Sequence, residues 1–282
     1  MKFGGDEPKG RSFTFIAVNY NGASHTKKYL ESVGALNKDV TDEVKAIIVD
    51  NKSSEDDRRQ VLDFSKNLDY CHVIELEKNI GYFKGLNAAL QTLSCPSNGC
   101  VIIGNNDLTF DPDFLINLKR IEYASDVLVI APNIITLDGR RQNPHVIRRV
   151  GRMEKVKADF YFFNYYLTQS IRVIVRLAKR LKRKKDKVSA PEFGQMRIKR
   201  GIGACYVLTP HFFRHFDRLD DRVFLWGEEA LLSHQVESVA GATLYDPTIK
   251  ITHHESASVS FIDSKARYEI VRESYKIYRE YL

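Results

Sequence analysis

None of the apolar runs among the 282 residues is long enough to cross a bilayer. The best candidate, residues 160–178, is interrupted by Asn164, Gln169, Arg172 and Arg176, whereas a spanning helix needs about 20 mostly apolar residues. The stretch 1–11 is polar and glycine-bearing and has no apolar core of the kind a secretory leader carries. Cysteine is scarce: Cys71, Cys95, Cys100 and Cys205 show neither paired metal-type spacing nor a dense disulfide framework, a usage that suits a reducing compartment. Acidic charge is in deficit, leaving a formal net charge of +7. That balance favours anionic partners such as nucleotide phosphates, acidic lipid or nucleic acid, without choosing among them. Hydrophobic residues at 43% and charged residues at 28% are ordinary for a globular chain and exclude a disordered one. The length suffices for one large α/β domain or two small ones.

Strand and helix patterns alternate through the first half. Strands are predicted at 13–18, 44–49, 71–76, 101–104 and 127–131, with helices at about 25–36, after Ser53-Ser54-Glu55-Asp56, at 83–93 and after Asp111-Pro112. The serines offer caps, the acids complement the helix dipole, and proline suits a first turn. Strands separated by helices of this length imply βαβ crossovers and a mostly parallel sheet. Polar residues gather just past the strands, at Asn19, Asp50, Asn105 and Asp107, and open parallel sheets bind ligands beyond their carboxyl ends. Residues 140–197 break the rhythm. They are rich in arginine and lysine, contain the aromatic run 160–166, end in the basic tract 179–185, and are read as an insertion. Strand-like sequence resumes over 196–208, a helix is predicted at 228–239, and 263–281 reads as a closing amphipathic helix.

Several short motifs carry chemistry. Asp50-Asn51 ends a strand. Asn79-Ile-Gly-Tyr-Phe-Lys-Gly-Leu-Asn87 places glycines at a strand-to-helix junction, where backbone amides can approach phosphate. Gly104-Asn-Asn-Asp107 sets two amides and a carboxylate at a strand end, a donor set for a hard divalent cation sharing a diphosphate. Trp226-Gly-Glu-Glu229 opens a helix with adjacent carboxylates, and His253-His254 follows Asp246-Pro247 and a short strand. Each has a plain structural alternative: an Asx turn, a helix start, a dipole partner or a structural histidine.

The order of the whole set is more specific than any member. Asn19-Tyr-Asn-Gly22, Asp50-Asn51-Lys-Ser-Ser54, Asn79-x-Gly-Tyr-x-x-Gly85, Asn105-x-Asp107, Gly203-Ala204, Phe224-x-Trp226-Gly-Glu-Glu229 and Pro247 with His253 follow one another as in family-2 glycosyltransferases. The chain resembles the rhamnosyltransferase-like bacterial branch, which builds surface polysaccharides such as O-antigen. The likeness spans about 12–258, with 140–197 largely unmatched. It implies a nucleotide-diphospho-sugar transferase (Rossmann-like) α/β fold with a central, mostly parallel mixed sheet flanked by helices. The corresponding division is a catalytic domain over 12–258, with a nucleotide-sugar half at 12–131, the insertion at 140–197 and an acceptor half at 198–258, followed by a helix at 259–282.

By that resemblance Asn19 and Asp50 lie at the nucleotide base and ribose, with Asn51, Gly81, Lys84, Gly85 and Asn105 completing the donor site. Asp107 and His253 hold a divalent metal, Mn or Mg, and Glu229 is the general base, with Glu228 its rival. Three positions depart from the family pattern: Asn106, the Glu-Glu pair in place of Glu-Asp, and Lys84 with Leu86 around Gly85. The implied reaction is inverting transfer from a nucleotide-diphosphate sugar to a saccharide or polyprenyl-linked acceptor. The expected setting is cytoplasmic, peripheral on the inner face of the membrane, with an anionic membrane surface as a further partner and no nucleic acid. Two alternatives are a non-catalytic sugar-nucleotide binder, suggested by the departures, and a basic nucleic-acid-binding protein, suggested by 179–185. A nucleotidyltransferase is disfavoured, because Val18-Asn-Tyr-Asn-Gly22 is not a glycine-rich, arginine-containing loop.

Overall fold

The computed structural model describes residues 10–36, 42–93, 99–148, 151–166, 168–169, 171, 193–255 and 264–282. The basic tract 179–185 lies outside them. Nine strands form one mixed sheet: β1 Ser12–Asn19, β2 Glu43–Asp50, β3 Cys71–Glu75, β4 Gly99–Asn105, β5 Leu108–Phe110, β6 Val127–Thr136, β7 Met196–Ile198, β8 Cys205–Leu208 and β9 Ala242–His253. Their order is β3-β2-β1-β4-β8-β6-β9-β5, with β7 also on β9. The block β3-β2-β1-β4 is parallel. β8 runs against both its neighbours, and β6 and β9 are again parallel to one another. The helices are α1 Ala23–Gly34, α2 Glu55–Ser65, α3 Tyr82–Leu90, α4 Phe114–Arg120, α5 Arg152–Tyr161, α6 Glu228–Ser238 and α7 Ser264–Tyr278.

The central strands are apolar on both faces because both faces are covered. On one face Phe13, Phe15 and Ala17 of β1, with Ala46, Ile48 and Ile102, meet Tyr29 and Leu30 of α1, Val61 of α2 and Phe114 and Leu118 of α4. On the other, Ile16, Val49, Val101 and Ile103 meet Phe83 and Leu86 of α3 and Leu232 and Val236 of α6. The period-2 alternation along each strand thus divides one apolar run between two cores.

The predicted strands and helices are found with ends moved by a few residues. The continuous stretch expected over 196–208 is two strands, because β7 pairs with β9 while β8 inserts between β4 and β6. The helix expected at Asp111-Pro112 starts at Phe114, since the Asp111 side chain accepts from the Asp113 amide and holds a turn first. The short strand expected before His253 is the end of the 12-residue β9, which carries β5 on its last turns of pleat. Among the described residues, no helix is long and apolar enough to cross a membrane.

Candidate active site

β1, β2, β4, β6 and β9 end on one edge of the sheet, and antiparallel β8 begins there. That register places Asn19 beside Asp50 and Cys205 beside Gly104. The edge opens into a cavity of about 370 Å³. Asn51, Gly81, Asn105, Asp107, Glu228, Glu229 and His253 all line it, together with Tyr20, Tyr82, Gln142, Gly203 and Trp226. Segments more than 200 residues apart in the chain therefore meet in one hollow.

Beneath it lies a buried polar frame. The fully buried Asn19 amide donates to Asp50 Oδ1 (2.9 Å), Ser53 Oγ (3.0 Å) and Asp57 Oδ1 (2.8 Å), and its oxygen accepts from Thr26 Oγ1 (2.9 Å) and Asn106 Nδ2 (3.1 Å). Asn106 also donates to Thr26 Oγ1 (2.8 Å) and Gly22 O (3.3 Å). The departure at 106 thus ties the end of β4 to the β1–α1 turn. Asn19 and Asp50 do not line the cavity; they hold the loops that do. Lys84 is exposed on the solvent side of α3, and Gly85 lies against Val18, where an added Cβ would approach to 3.1 Å. Neither reaches the cavity.

Asn51 does, and it shapes the loop before α3: its amide donates to Asn79 Oδ1 and Gly81 O (both 3.1 Å), and its oxygen accepts from the Ile80 amide (2.9 Å). Gly81 stands at φ +96°, ψ 179°, a region essentially confined to glycine. A Cβ there would lie 2.3 Å from Phe224 O. The Tyr82 amide donates to the same carbonyl at 3.1 Å, so the loop before α3 is fastened to the loop before α6.

At the far end of β4, Asp107 stands 3.2 Å from His253 Nε2 at the end of β9, both side chains buried. Asn105 Nδ2 is 3.5 Å from the same ring nitrogen. His253 Nδ1 is 2.8 Å from Gln142 Oε1, and Gln142 donates through Nε2 to Glu255 (2.9 Å). The Gln142 carbonyl oxygen thus stands where it would accept from Nδ1, leaving Nε2 to face Asp107.

The turn into α6 uses two successive left-handed residues, Trp226 (φ 66°) and Gly227 (φ 98°). A bulky residue there is under strain, which surrounding contacts must hold. α7 supplies them: Arg267 lies over the Trp226 ring at 5.0 Å, Ser274 donates to Leu225 O at 2.8 Å, and the Tyr278 ring would meet a Cβ on Gly227 at 2.2 Å. The turn delivers Glu228 and Glu229 as the first residues of α6, where the helix dipole favours negative charge. Burial and the neighbouring Glu229 carboxylate nevertheless push Glu228 up to about 8, so it holds its proton at neutral pH. Glu229 is half-buried, and Gly203 leaves room for its extra methylene, since a Cβ at 203 would lie 3.1 Å from Glu229 Cγ.

Tyr20 and Gln142 were missing from the sequence candidates. Tyr20 follows Asn19 at a strand end, a position that could have marked it. Gln142 lies in the stretch read as an insertion and gave no signal.

The profile of Glycosyl transferase family 2 matches residues 14–187, more than half of the chain. The chain belongs to that family. The matched segment contains Asn51, Gly81, Asn105 and Asp107 but stops before Glu228, Glu229 and His253. No curated protein sequence matches the chain. Three solved structures share its fold at low identity. GalNAc-T7, determined with UDP, GalNAc and Mn2+, aligns at 16% identity and a TM-score of 0.55 over 88% of this chain and 44% of its own. The mannosyltransferase PcManGT from Pyrobaculum calidifontis, in complex with GDP-Man and Mn2+, aligns at 12% identity and a TM-score of 0.55 over 96% and 69%. S. aureus TarS 1-349 aligns at 13% identity and a TM-score of 0.53 over 92% and 69%. The chain spans less than half the length of the first of these.

Proposed function

We propose that the chain is a glycosyltransferase that moves a sugar from a nucleotide-diphosphate donor to a saccharide or polyprenyl-linked acceptor, with inversion and with a divalent metal. We place it in the rhamnosyltransferase-like branch, serving surface polysaccharide assembly. One observation carries the reading: a single cavity gathers the Asn51–Gly81 loop, the Asp107–His253 pair and the Glu228–Glu229 pair. Fold neighbours determined with UDP or GDP-Man and Mn2+ support it, as does the order of the motifs along the chain.

The residues fit a metal. Among the described residues no group of three or more His, Cys, Asp or Glu could hold one. Magnesium-type sites, however, commonly use one or two carboxylates and take the remaining ligands from substrate phosphate and water. The 3.2 Å between Asp107 Oδ1 and His253 Nε2 suits neighbouring ligands of a cation bound at about 2.1 Å, which stand about 3 Å apart. Asp107 and His253 would hold Mn2+ or Mg2+, whose charge stabilises the departing diphosphate. Asn51 and Gly81 shape the donor loop, and Tyr20 offers a ring, 42% exposed, on which a nucleobase can stack. Glu229 takes the proton of the acceptor hydroxyl as that oxygen attacks the anomeric carbon, while the C–O bond to the diphosphate breaks. Glu228, protonated at neutral pH, cannot accept that proton; it offers a hydrogen bond within the cavity.

Incubation with a panel of nucleotide sugars, Mn2+ and a polyprenyl-linked acceptor tests this. Release of nucleoside diphosphate with a β-product from an α-donor is expected. Release of pyrophosphate, or no turnover with donors that bind, contradicts it. The +7 charge and the tract 179–185 further support work at an anionic membrane surface, where each basic residue contributes about 1 kcal/mol of attraction.

A further inference from the structure

Helix α5 faces its apolar side outward. At 100° per residue Met153, Val156 and Phe160 fall on one stripe, and Phe163 continues it in the turn that follows. Their exposures are 73%, 63%, 58% and 73%, and Tyr166 adds another ring at 70%. Single exposed apolar residues need no explanation. Here five of the ten large hydrophobics most exposed among the described residues lie within 153–166, which marks an interaction site.

The orientation is fixed by contacts beside and behind the stripe. Asp159 accepts from Tyr275 Oη (2.6 Å) and is paired with the Arg279 guanidinium, and Phe162 stacks on Tyr275 with centroids 4.5 Å apart. Arg152 and Lys157 are exposed and flank the stripe on either side, and the one carboxylate beside Arg152, Asp159, is neutralised by Arg279. Glu154 is engaged at the helix start, accepting from the Gly151 amide at 3.1 Å. An apolar stripe bordered by cations is the pattern of a helix lying in a lipid interface.

We infer that the Met153–Val156–Phe160–Phe163 face of α5 is the docking surface for an anionic lipid bilayer. The inference rests on the reading above that the enzyme works at such a surface, and it names the element that makes the contact. The occupant is assigned by charge: Arg152 and Lys157 border the stripe, and the chain carries a formal net charge of +7. α7 joins this face to the site, holding α5 through Tyr275, with Arg279 just beyond its end, and the turn before α6 through Ser274.

The test is co-sedimentation with phosphatidylcholine vesicles and with equimolar phosphatidylcholine–phosphatidylglycerol vesicles. The intact protein is expected on the anionic vesicles. The double variant Phe160→Ser/Phe163→Ser should bind at least about tenfold more weakly. Its Tm should stay within about 2 °C of the parent's, because the changes are at exposed positions. Leu137→Ser, 69% exposed elsewhere, should bind as the parent does. If the double variant keeps full binding while Lys182→Gln/Arg183→Gln/Lys184→Gln/Lys185→Gln loses it, the α5 face is wrong and the membrane reading stands. If the intact protein binds neither vesicle, both fail. Concentration-dependent dimers abolished by Phe160→Ser/Phe163→Ser, without vesicle binding, would assign the face to self-association and overturn the proposal.

Discussion

At neutral pH Glu228, pushed up to about 8 by burial and by Glu229, keeps its proton, while Glu229, which also lines the cavity, is the proposed acceptor of one. Glu229→Gln is accordingly expected to retain donor binding and lose at least about a hundredfold in kcat. Glu228→Gln, which preserves a hydrogen-bonding neutral side chain, should keep most of the turnover. The reverse result would exchange the two roles. The same shift makes a stability prediction. Between about 4.5 and about 8 the folded chain holds a proton on Glu228 that the unfolded chain releases, so this residue's contribution falls as pH rises through that window. Glu228→Gln removes the slope, and its Tm should exceed the parent's above pH of about 8; parallel Tm profiles would contradict the assignment. For Asn19, whose five hydrogen bonds are all within the frame, a loss of stability is expected. Asn19→Ala leaves buried acceptors unmatched and should cost about 2 kcal/mol or more in urea unfolding. A change below about 0.5 kcal/mol would remove the frame from the account. The sequence pointed to Asn19 and Asp50 because of where they fall on their strands. That both would be turned inward, with Asn51 and Tyr20 left to face the cavity, depends on the partners Asp57, Thr26 and Asn106, which no local pattern names.

The elements that matter most are two turns touching each other. Gly81 and Phe224 O are in contact across the entrance, and Trp226 and Gly227 are held left-handed under α7. Gly81→Ala would force a Cβ into the Phe224 carbonyl and into a backbone region that costs about 1–3 kcal/mol. A loss of that size, with weakened donor binding, is expected from calorimetry; a Tm and affinity equal to the parent's would show the contact to be incidental. Helices α1 and α3 could be read from apolar spacing and the turns before them. β5 could not, since three residues directly after Asp107 carry no period, and only β9 beside them makes them a strand. Gln142 was equally hidden, because its role exists only once β9 carries His253 to it.

On the scale of the molecule, the parallel block β3-β2-β1-β4 was legible because helices α1, α2 and α3 separate its strands along the chain and cross back over the sheet. The far half was less so: β8 runs antiparallel between β4 and β6, a topology that adjacent sequence does not encode. Yet β8 antiparallel is what brings Gly203 and Ala204 to the carboxyl edge, and β9 running parallel to β6 is what returns His253 to Asp107. The central claim is that this edge binds a nucleoside diphosphate through a metal held by Asp107 and His253. Calorimetric titration of UDP and GDP, with Mn2+ and with excess chelator, measures it directly in the parent, Asp107→Ala and Glu229→Gln proteins. The account predicts binding of one nucleotide only with Mn2+, at least tenfold weaker in Asp107→Ala and unchanged in Glu229→Gln. Binding equal with and without metal, or undiminished in Asp107→Ala, would contradict it.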